Sequence, residues 1–244
     1  MLLSEQEKLM YMVMKAIYDS GIPIEFKGAM VLKACLLEAG FSGEIRHTAD
    51  IDANWCLNEE LSSEQMTMTL QDALTKSGIM LDIKMYRMYG PGRSAGFDLI
   101  DQQSREILFS LDVDINRPVS SSKIYEISGI RFRGVSQSQM MADKISAISS
   151  EHIFRRIKDI VDLYYMSQVF VFNRDTLTES LLRSERSLGS FDGFLHHKAE
   201  LKHAYEKYRF SGDINKPTFE EVYTGVKHYI NDILPKERQR ELER

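Results

Sequence analysis

The sequence predicts an α+β fold, in which a first half of helices and strands precedes an all-helical second half. Up to about residue 134, apolar residues recur with both the helical period and the strand period of two, and beyond it only the helical period remains. The pattern changes near 134–137, so we expect two domains, over 1–135 and 136–244. A chain of 244 residues is long enough to give each a core.

The first half is predicted element by element from caps, periodicity and turn residues. Ser4 to Glu7 reads as a capping box that opens a helix through Tyr18, and Gly28 to Ala39 forms a second helix. The remaining elements are a strand over 45–55, a helix from Ser62 to near Gly78, strands over 79–88, 96–100, 106–116 and 124–132, and turns at 89–92 and 101–104. The second half is predicted as helices over 137–149, 152–170, 174–186, 191–209 and 218–233.

The composition is that of an ordinary globular protein, with 43% hydrophobic and 27% charged residues. A net charge of −5 argues against a broadly basic nucleic-acid surface but is compatible with a local basic patch. No apolar run reaches the length of a membrane span, so no membrane partner is expected. Cys35 and Cys56 are the only cysteines, which excludes a disulfide framework and favours a cytoplasmic location.

Asp50 and Asp52 are the most informative residues of the chain. They stand at positions i and i+2 of a predicted strand, so both carboxylates lie on the same side of the sheet. Like charges on one face repel each other, and Mg²⁺ removes that penalty while it keeps positions for water and substrate phosphates. A strand face that simply meets water is the alternative.

Asp112 and Asp114 repeat this arrangement on the most regular strand, whose opposite face is apolar. Two acidic strand faces can share a cation if the strands are neighbours, and Asp114 is the stronger candidate for a third metal ligand. A solvated sheet face is again the alternative. Upstream, Lys27 and Gly28 open a helix whose N-terminal N–H groups suit a phosphate.

A third group combines Lys144 with one polar stripe on the helix predicted over 152–170. Apolar residues occupy most of a helical projection of 152–165 and leave a single polar stripe, which consists of Arg155, Lys158, Asp159 and Asp162. The stripe either lines a cleft that faces the Asp-bearing sheet or forms surface ion pairs at i,i+4 spacing.

In this order, the three groups resemble the AbiEii-type nucleotidyltransferases, the toxins of abortive-infection and related toxin–antitoxin pairs, including the MenT toxins, in the DNA polymerase beta superfamily. In the family, a Gly-Gly-Ser/Thr turn and a helix precede an Arg-x-Ser/Thr-x-Asp-Leu/Ile-Asp motif. The segment 27–30 is similar to the turn, and the segment 46–52 is similar to the motif. Its later motif, a Lys followed by Arg-x-x-Lys/Arg-Asp-x-x-Asp-Leu, is similar to Lys144 and the segment 155–163. The match covers about residues 24 to 165.

The resemblance implies a nucleotidyltransferase-type mixed sheet flanked by helices, followed by a helical domain. It implies Mg²⁺-dependent transfer of a nucleoside monophosphate from a nucleoside triphosphate to an acceptor, with a tRNA 3′ end favoured over a protein side chain, and a cognate antitoxin as partner. The implied metal ligands are Asp50, Asp52 and Asp114, and the further catalytic residues are Lys144, Asp159 and Asp162. The implied nucleotide-binding residues are Lys27, Gly28, Arg46, Thr48, Arg155 and Lys158.

Two other functions stay open. The family's second Gly and its Ser/Thr are Ala29 and Met30 here, so a phosphate-binding hydroxyl is missing. This difference favours a catalytically silent nucleotidyltransferase fold that binds a nucleotide or a partner protein. The other function is that of a plain interaction protein whose acidic strands meet solvent.

Overall fold

The computed structural model describes residues 3–56, 61–89, 94–115, 120–171, 173–210 and 216–233. The chain divides into two compact units. Unit 1 comprises Met1–Cys35 and His47–Ser136, and unit 2 comprises Leu36–Arg46 and Gln137–Arg244. The segment Leu36–Arg46 lies in the first half of the sequence but belongs to the helical unit. The single boundary predicted near 134–137 does not account for it.

Unit 1 contains a seven-stranded mixed sheet with the strand order β3-β4-β5-β2-β1-β7-β6. Its strands are β1 (Ile24–Lys27), β2 (Asp50–Trp55), β3 (Leu81–Tyr89), β4 (Ser94–Asp101), β5 (Ile107–Ile115), β6 (Ser122–Ile127) and β7 (Ile130–Val135). β2 runs parallel to β5 and β1 runs parallel to β7, whereas all other neighbours are antiparallel. The parallel pairing of β2 with β5 brings the two acidic strands side by side.

Two strand predictions differ in extent from the structure, and one observed strand was not predicted. The single strand predicted over 124–132 is wrong, because Ser128 and Gly129 adopt positive φ angles and turn the chain into the β6–β7 hairpin. The strand predicted from residue 45 begins only at Asp50, and β1 was not predicted at all. Four residues are too few to show an alternating pattern. Asn116 and most of the predicted turn at 89–92 lie outside the described residues.

Three helices of unit 1 cover one face of the sheet: α1 (Glu5–Asp19), α2 (Gly28–Glu38), whose last residues belong to unit 2, and α3 (Ser63–Lys76). The capping box predicted at Ser4 is confirmed, and Ser62, the predicted start of another helix, also forms one. The ring of Tyr11 on α1 lies 5.6 Å from that of Phe132 on β7, and α3 packs against α1 and β3. The apolar faces of the strands meet these helices.

The side chain of Gln71 on α3 covers part of one sheet edge. β3 is a terminal strand of the sheet, so one side of its backbone has no neighbouring strand in the described part of the chain. Gln71 donates to the carbonyl oxygen of Leu81 at 3.0 Å and accepts from the backbone N–H of Ile83 at 2.8 Å. The amide thereby takes the place of a strand over these residues.

The described residues of unit 2 beyond 136 form helices: α4 (Gln137–Ile148), a 3₁₀ turn (Ile153–Arg155), α5 (Ile157–Ser167), α6 (Arg174–Arg183), α7 (Asp192–His196), α8 (Lys198–Lys207) and α9 (Phe219–Ile233). The predicted helices over 152–170 and 191–209 are each interrupted. The interruptions fall at Arg156 and His197, where the backbone leaves helical geometry without a Gly or Pro. No helix among the described residues is both long enough and apolar enough to cross a membrane.

A buried charge cluster joins α1, α2 and the segment before β2. Glu7 and Lys33 are each only 2% exposed, and the Lys33 ammonium donates to the Glu7 carboxylate. Nδ1 of His47 lies 2.9 Å from the same carboxylate oxygen. Burial alone would raise the pKa of Glu7, but the bonds from Lys33 and the Ser4 N–H outweigh it and hold that pKa below its ordinary value.

Replacing Lys33 with Met should lower the free energy of unfolding by about 3–5 kcal/mol, because the Glu7 carboxylate would stay buried without its cation. Urea denaturation at pH 7 measures this loss. The matched control is Lys8→Met, since the side chains of Lys8 and its partner Glu5 are 50% and 90% exposed. Its effect should stay within about 1 kcal/mol. Equal losses in both variants would contradict a special role for the buried pair.

Candidate active site

The polar face of unit 1 carries carboxylates in register on β2 and β5. Asp52 is paired with Asp112, and Asn54 is paired with Asp114. Directly paired residues share a face, and neighbouring strands are about 4.8 Å apart. The side chains of Ile51 and Ala53 between them point to the buried apolar face. Asp112, which the sequence ranked below Asp114, is therefore the β5 carboxylate next to Asp52.

Asp114 lies on the same face as Asp50, but its carboxylate is engaged by Lys27. The Lys27 ammonium, on β1, donates to Oδ2 of Asp114 at 2.6 Å and to the side-chain oxygen of Asn54 at 2.7 Å. Asp114 thus has a cation of its own within the protein. The predicted metal ligand and the predicted phosphate-binding lysine lie together, and they neutralise each other.

Asp50 begins β2 and is paired with Ser110. The hydroxyl of Thr48 donates to its carboxylate, so one predicted nucleotide-binding residue orients one predicted metal ligand. On the next strand, Asp98 is paired with Ser110 and shares this face. Sequence reasoning missed Asp98 because no acidic neighbour stands two positions away from it on β4.

Gly28 lies against the Asp52 carboxylate, on the side away from Asp112. It opens α2 with a φ angle of +71°, a conformation in which glycine is favoured. A Cβ atom placed on Gly28 would overlap Oδ2 of Asp52. The first turn of α2, whose N–H groups have no intrahelical partners, therefore starts directly against this carboxylate. Ala29 and Met30 are 8% and 1% exposed, so their side chains belong to the core.

Tyr86 and Arg87 hold Asp112 from the other side. The β3–β4 register shifts between Met85 and Arg87, which makes Tyr86 the extra residue of a β-bulge. The Tyr86 hydroxyl and the Arg87 guanidinium both donate to Oδ1 of Asp112, at 2.8 and 2.9 Å. Desolvation and the Asp112 bond raise the pKa of Tyr86 to about 12, which keeps its hydroxyl protonated at neutral pH. No sequence pattern signals a bulge here, so both residues were missed.

In unit 2, Asp162 is the centre of a buried ion cluster. Arg46 donates through Nε and Nη2 to its two oxygens at 2.8 and 2.9 Å, and Lys144 donates to Oδ2 at 2.6 Å. Burial would raise the pKa of Asp162, but the charges of Arg46 and Lys144 outweigh it and lower that pKa to about 2. The same cluster raises the pKa of Lys144 against the effect of its own burial. Three of the predicted site residues therefore bind one another.

The predicted polar stripe is divided in the structure. Asp159 faces Lys144 at 3.4 Å, beside the buried Asp162. Arg155 lies in the 3₁₀ turn ahead of α5 and is exposed, as is Lys158. The alternative of surface ion pairs is wrong for Asp162, because its partners are the buried Arg46 and Lys144 rather than Lys158.

The carboxylates on the polar face of the sheet supply only some of the ligands that Mg²⁺ requires. In the described part of the chain, no group of three or more His, Cys, Asp or Glu side chains is arranged to hold a metal ion. Asp50 and Asp52 nevertheless share one face, with Asp112 beside Asp52, and carboxylate oxygens are the ligands that Mg²⁺ prefers. Mg²⁺ commonly takes one or two carboxylates and completes its shell with water and phosphate oxygens.

A mixed sheet with an Asp-x-Asp strand beside a glycine-opened helix, followed by a helical unit, defines a nucleotidyltransferase fold. A solved structure confirms this assignment: MenT4, a nucleotidyltransferase toxin from Mycobacterium tuberculosis H37Rv, with a TM-score of 0.57, 12% identity, and coverage of 97% of this chain and 86% of that chain. An antigenic nucleotidyltransferase-like protein from Paracoccidioides brasiliensis gives a TM-score of 0.47 at 18% identity, over 84% of this chain and 94% of that one. The assignment rests on the first similarity.

No protein-family model and no curated protein sequence matches the chain. At 12% identity, the similarity to MenT4 establishes the fold and not the activity. The predicted resemblance is therefore confirmed at the level of architecture, including the helical second half.

Replacing Gly28 with Ala should destabilise the protein more than the same change at Gly21. Both residues have positive φ angles, at which Ala is disfavoured by about 1–2 kcal/mol, but only a Cβ on Gly28 meets Asp52, and a Cβ on Gly21 meets nothing within 4 Å. Urea denaturation of both variants isolates the additional cost of that contact. Equal destabilisation would show that the carboxylate moves aside freely.

Asp162 should make unfolding depend on pH between about 4 and 2. A carboxyl whose pKa falls from 3.8 to about 2 on folding stabilises the protein above pH 4, and the contribution is lost as pH falls through the folded-state value. The expected loss is about 2 kcal/mol. Unfolding free energies of the wild type and Asp162→Asn, measured from pH 5 to pH 2, should converge over this range. A constant difference between them would contradict the depressed pKa.

Proposed function

We propose that this protein is a nucleotidyltransferase that transfers a nucleoside monophosphate from a nucleoside triphosphate to an acceptor hydroxyl. The observation that carries the proposal is the geometry around Asp52. Its carboxylate lies between the glycine-opened start of α2 and Asp112, with Asp50 two positions away on the same strand face. The N–H groups at the start of α2 suit a phosphate and the neighbouring carboxylate oxygens suit Mg²⁺, which supports the proposal on this fold.

Asp50 and Asp52 would hold Mg²⁺, with Asp112 as the nearest further carboxylate. The ion would stabilise the charge on the phosphate oxygens during in-line displacement. Thr48 orients Asp50 through its hydroxyl, and Tyr86 and Arg87 restrain Asp112. Asp114, paired with Lys27, is better suited to fixing that lysine beside the Gly28 turn than to binding a cation directly.

Phosphate binding at Gly28 would depend on the backbone. The first N–H groups of α2 suit a phosphate oxygen, and glycine lets the chain approach closely. The core positions of Ala29 and Met30 leave no hydroxyl for this purpose. We expect a weaker hold on the triphosphate than a Ser or Thr in the turn would give, because a hydrogen bond to a charged group contributes about 1.5–3 kcal/mol.

The cluster of unit 2 has an evident structural role in addition to its predicted catalytic one. Lys144 is paired with Asp162 and Asp159, and Arg46 forms a bidentate pair with Asp162. Their bonds join α4, α5 and the segment Leu36–Arg46 within this unit. Catalytic roles for Lys144, Asp159 and Asp162, and nucleotide contacts of Arg46, Arg155 and Lys158, remain part of the proposal.

We further propose that the acceptor is a tRNA 3′ end and that the protein acts as a toxin with a cognate antitoxin, in a cytoplasmic setting. The similarity in fold to a nucleotidyltransferase toxin supports this proposal. The second candidate is a catalytically silent protein on the same fold that binds a nucleotide or a partner protein. The absence of a hydroxyl at Ala29 and Met30 favours it.

Asp52→Asn should abolish nucleotide transfer while the protein stays folded. The substitution removes a negative charge from the position where α2 starts and where Asp112 is paired. Transfer of a labelled monophosphate from each nucleoside triphosphate to total tRNA, with Mg²⁺ present, measures the effect. The control is Asp72→Asn, an exposed carboxylate on α3, which should leave transfer unchanged.

Expression in cells provides a second measurement of the same prediction. Wild-type protein should arrest growth, and Asp52→Asn should relieve the arrest at equal protein levels. If Asp52→Asn transfers nucleotide as well as the wild type, the enzyme proposal fails. If the wild type binds a triphosphate by calorimetry with Mg²⁺ but transfers it to no acceptor, the silent alternative is correct.

A further inference from the structure

The bulge in β3 places two adjacent side chains at the same carboxylate. In a regular strand, Tyr86 and Arg87 would point to opposite faces, but the register shift lets both reach Oδ1 of Asp112. Bulges are enriched next to active sites, where they redirect side chains. The shared partner is the carboxylate paired with Asp52.

Gly96 makes room for the tyrosine ring. A Cβ on Gly96 would overlap the ring of Tyr86 and lie 2.7 Å from its hydroxyl oxygen. The ring therefore passes over β4 at the one position without a side chain and reaches Asp112 on β5. The guanidinium carbon of Arg87 lies 5.1 Å from the ring centroid, within the range of a cation–π contact. Three strands thus cooperate to fix the ring.

The ring is fixed but not buried. Tyr86 is 43% exposed, although its hydroxyl is held by Asp112. Together with Arg87 it borders a surface groove of about 430 Å³ between β3 and the first turns of α3, which is lined by Ser63, Glu64, Thr67, Met85, Tyr86, Arg87 and Met88. An exposed aromatic ring beside an arginine is the arrangement on which unpaired bases stack.

The position of Tyr86 relative to Asp52 indicates which substrate it meets. The Gly28 turn approaches Asp52 from β1, whereas Tyr86 reaches Asp112 from β3, on the other side. In-line displacement keeps the attacking and leaving oxygens on opposite sides of the phosphorus. A triphosphate whose leaving phosphates lie at the Gly28 turn therefore receives its acceptor from the side of Tyr86.

We infer that Tyr86 and Arg87 form an acceptor-binding site for an unpaired nucleobase at the end of a single-stranded nucleic acid. The inference rests on the proposed function and assigns one side of that site to the acceptor. The base stacks on the exposed face of Tyr86, and Arg87 supports the ring from its neighbouring position. Asp112 fixes both side chains, so the platform is ordered before the acceptor arrives.

Binding of a short unpaired RNA oligonucleotide tests this inference directly. Fluorescence anisotropy gives its affinity for the full-length wild type, for Tyr86→Ala, which removes the ring, and for Tyr86→Phe, which keeps it. Stacking contributes about 1–3 kcal/mol per base, so Tyr86→Ala should weaken binding roughly ten- to a hundredfold. Tyr86→Phe should stay within about twofold of the wild type, as should the control Tyr18→Ala on α1. Calorimetry with Mg²⁺ should show equal triphosphate affinity in Tyr86→Ala and Tyr86→Phe, because both lose the hydroxyl that restrains Asp112, and wild-type affinity in Tyr18→Ala.

Several results would overturn the inference. Unchanged RNA affinity in Tyr86→Ala would exclude stacking, and an equal loss in Tyr86→Phe would show that the hydroxyl only positions Asp112. A loss of triphosphate binding in Tyr86→Ala but not in Tyr86→Phe, with RNA affinity kept, would place the donor at Tyr86. RNA binding that depends on Tyr86 without any transfer would leave the inference standing while the proposed function fails. Transfer with an unchanged KM for RNA in Tyr86→Ala, or transfer to a protein acceptor, would leave the function standing and refute the inference.

Discussion

The parallel register of β2 and β5, which sets Asp52 beside Asp112, is the constraint on which the polar face depends. Carboxylates on adjacent strands repel each other, and a register shifted by one residue would place them on opposite faces of the sheet. Cations on other strands of the sheet bind the carboxylates of β5, since Lys27 on β1 binds Asp114 and Arg87 on β3 binds Asp112. Asp50 and Asp52 share this face, and Asp52 lies next to the positive end of α2.

The sequence predicts this site as far as local periodicity extends. Alternation places Asp50 with Asp52 and Asp112 with Asp114, and the structure has both pairs on one face. Alternation contains no information on register between strands that are distant in sequence. For that reason it could not show that Asp112 is the carboxylate next to Asp52, or that Lys27 reaches Asp114. The bulge at Tyr86 could not be predicted either, because a bulge interrupts the alternation on which strand prediction depends.

In unit 2, helical periodicity likewise predicts which residues share a helix face but not which distant residues they contact. The sequence patterns group Lys144 with Asp159 and Asp162 but place Arg46 in the separate motif ahead of β2, whereas the structure joins Arg46, Lys144 and Asp162 in one buried cluster. Spacing along the chain indicates neither that Arg46 joins this cluster nor that the cluster is buried. A buried carboxylate between two cations is stabilising only while all partners remain, since a single removal leaves an uncompensated charge. Substitutions in this cluster will therefore disturb the fold as well as any chemistry.

The amide of Gln71 has a consequence for how the protein behaves at high concentration. An edge strand whose backbone groups are unpaired can recruit another strand and start aggregation. Gln71 occupies the carbonyl of Leu81 and the N–H of Ile83, so an incoming strand would have to displace it from both. Over Leu81 to Ile83, protection of this edge depends on one helix side chain, and farther along β3 the exposed charges of Lys84 and Arg87 add to it. Aggregation of the protein through this edge thus depends on the local stability of α3. Partial unfolding of that helix would expose the backbone of β3 to pairing with a strand of another molecule.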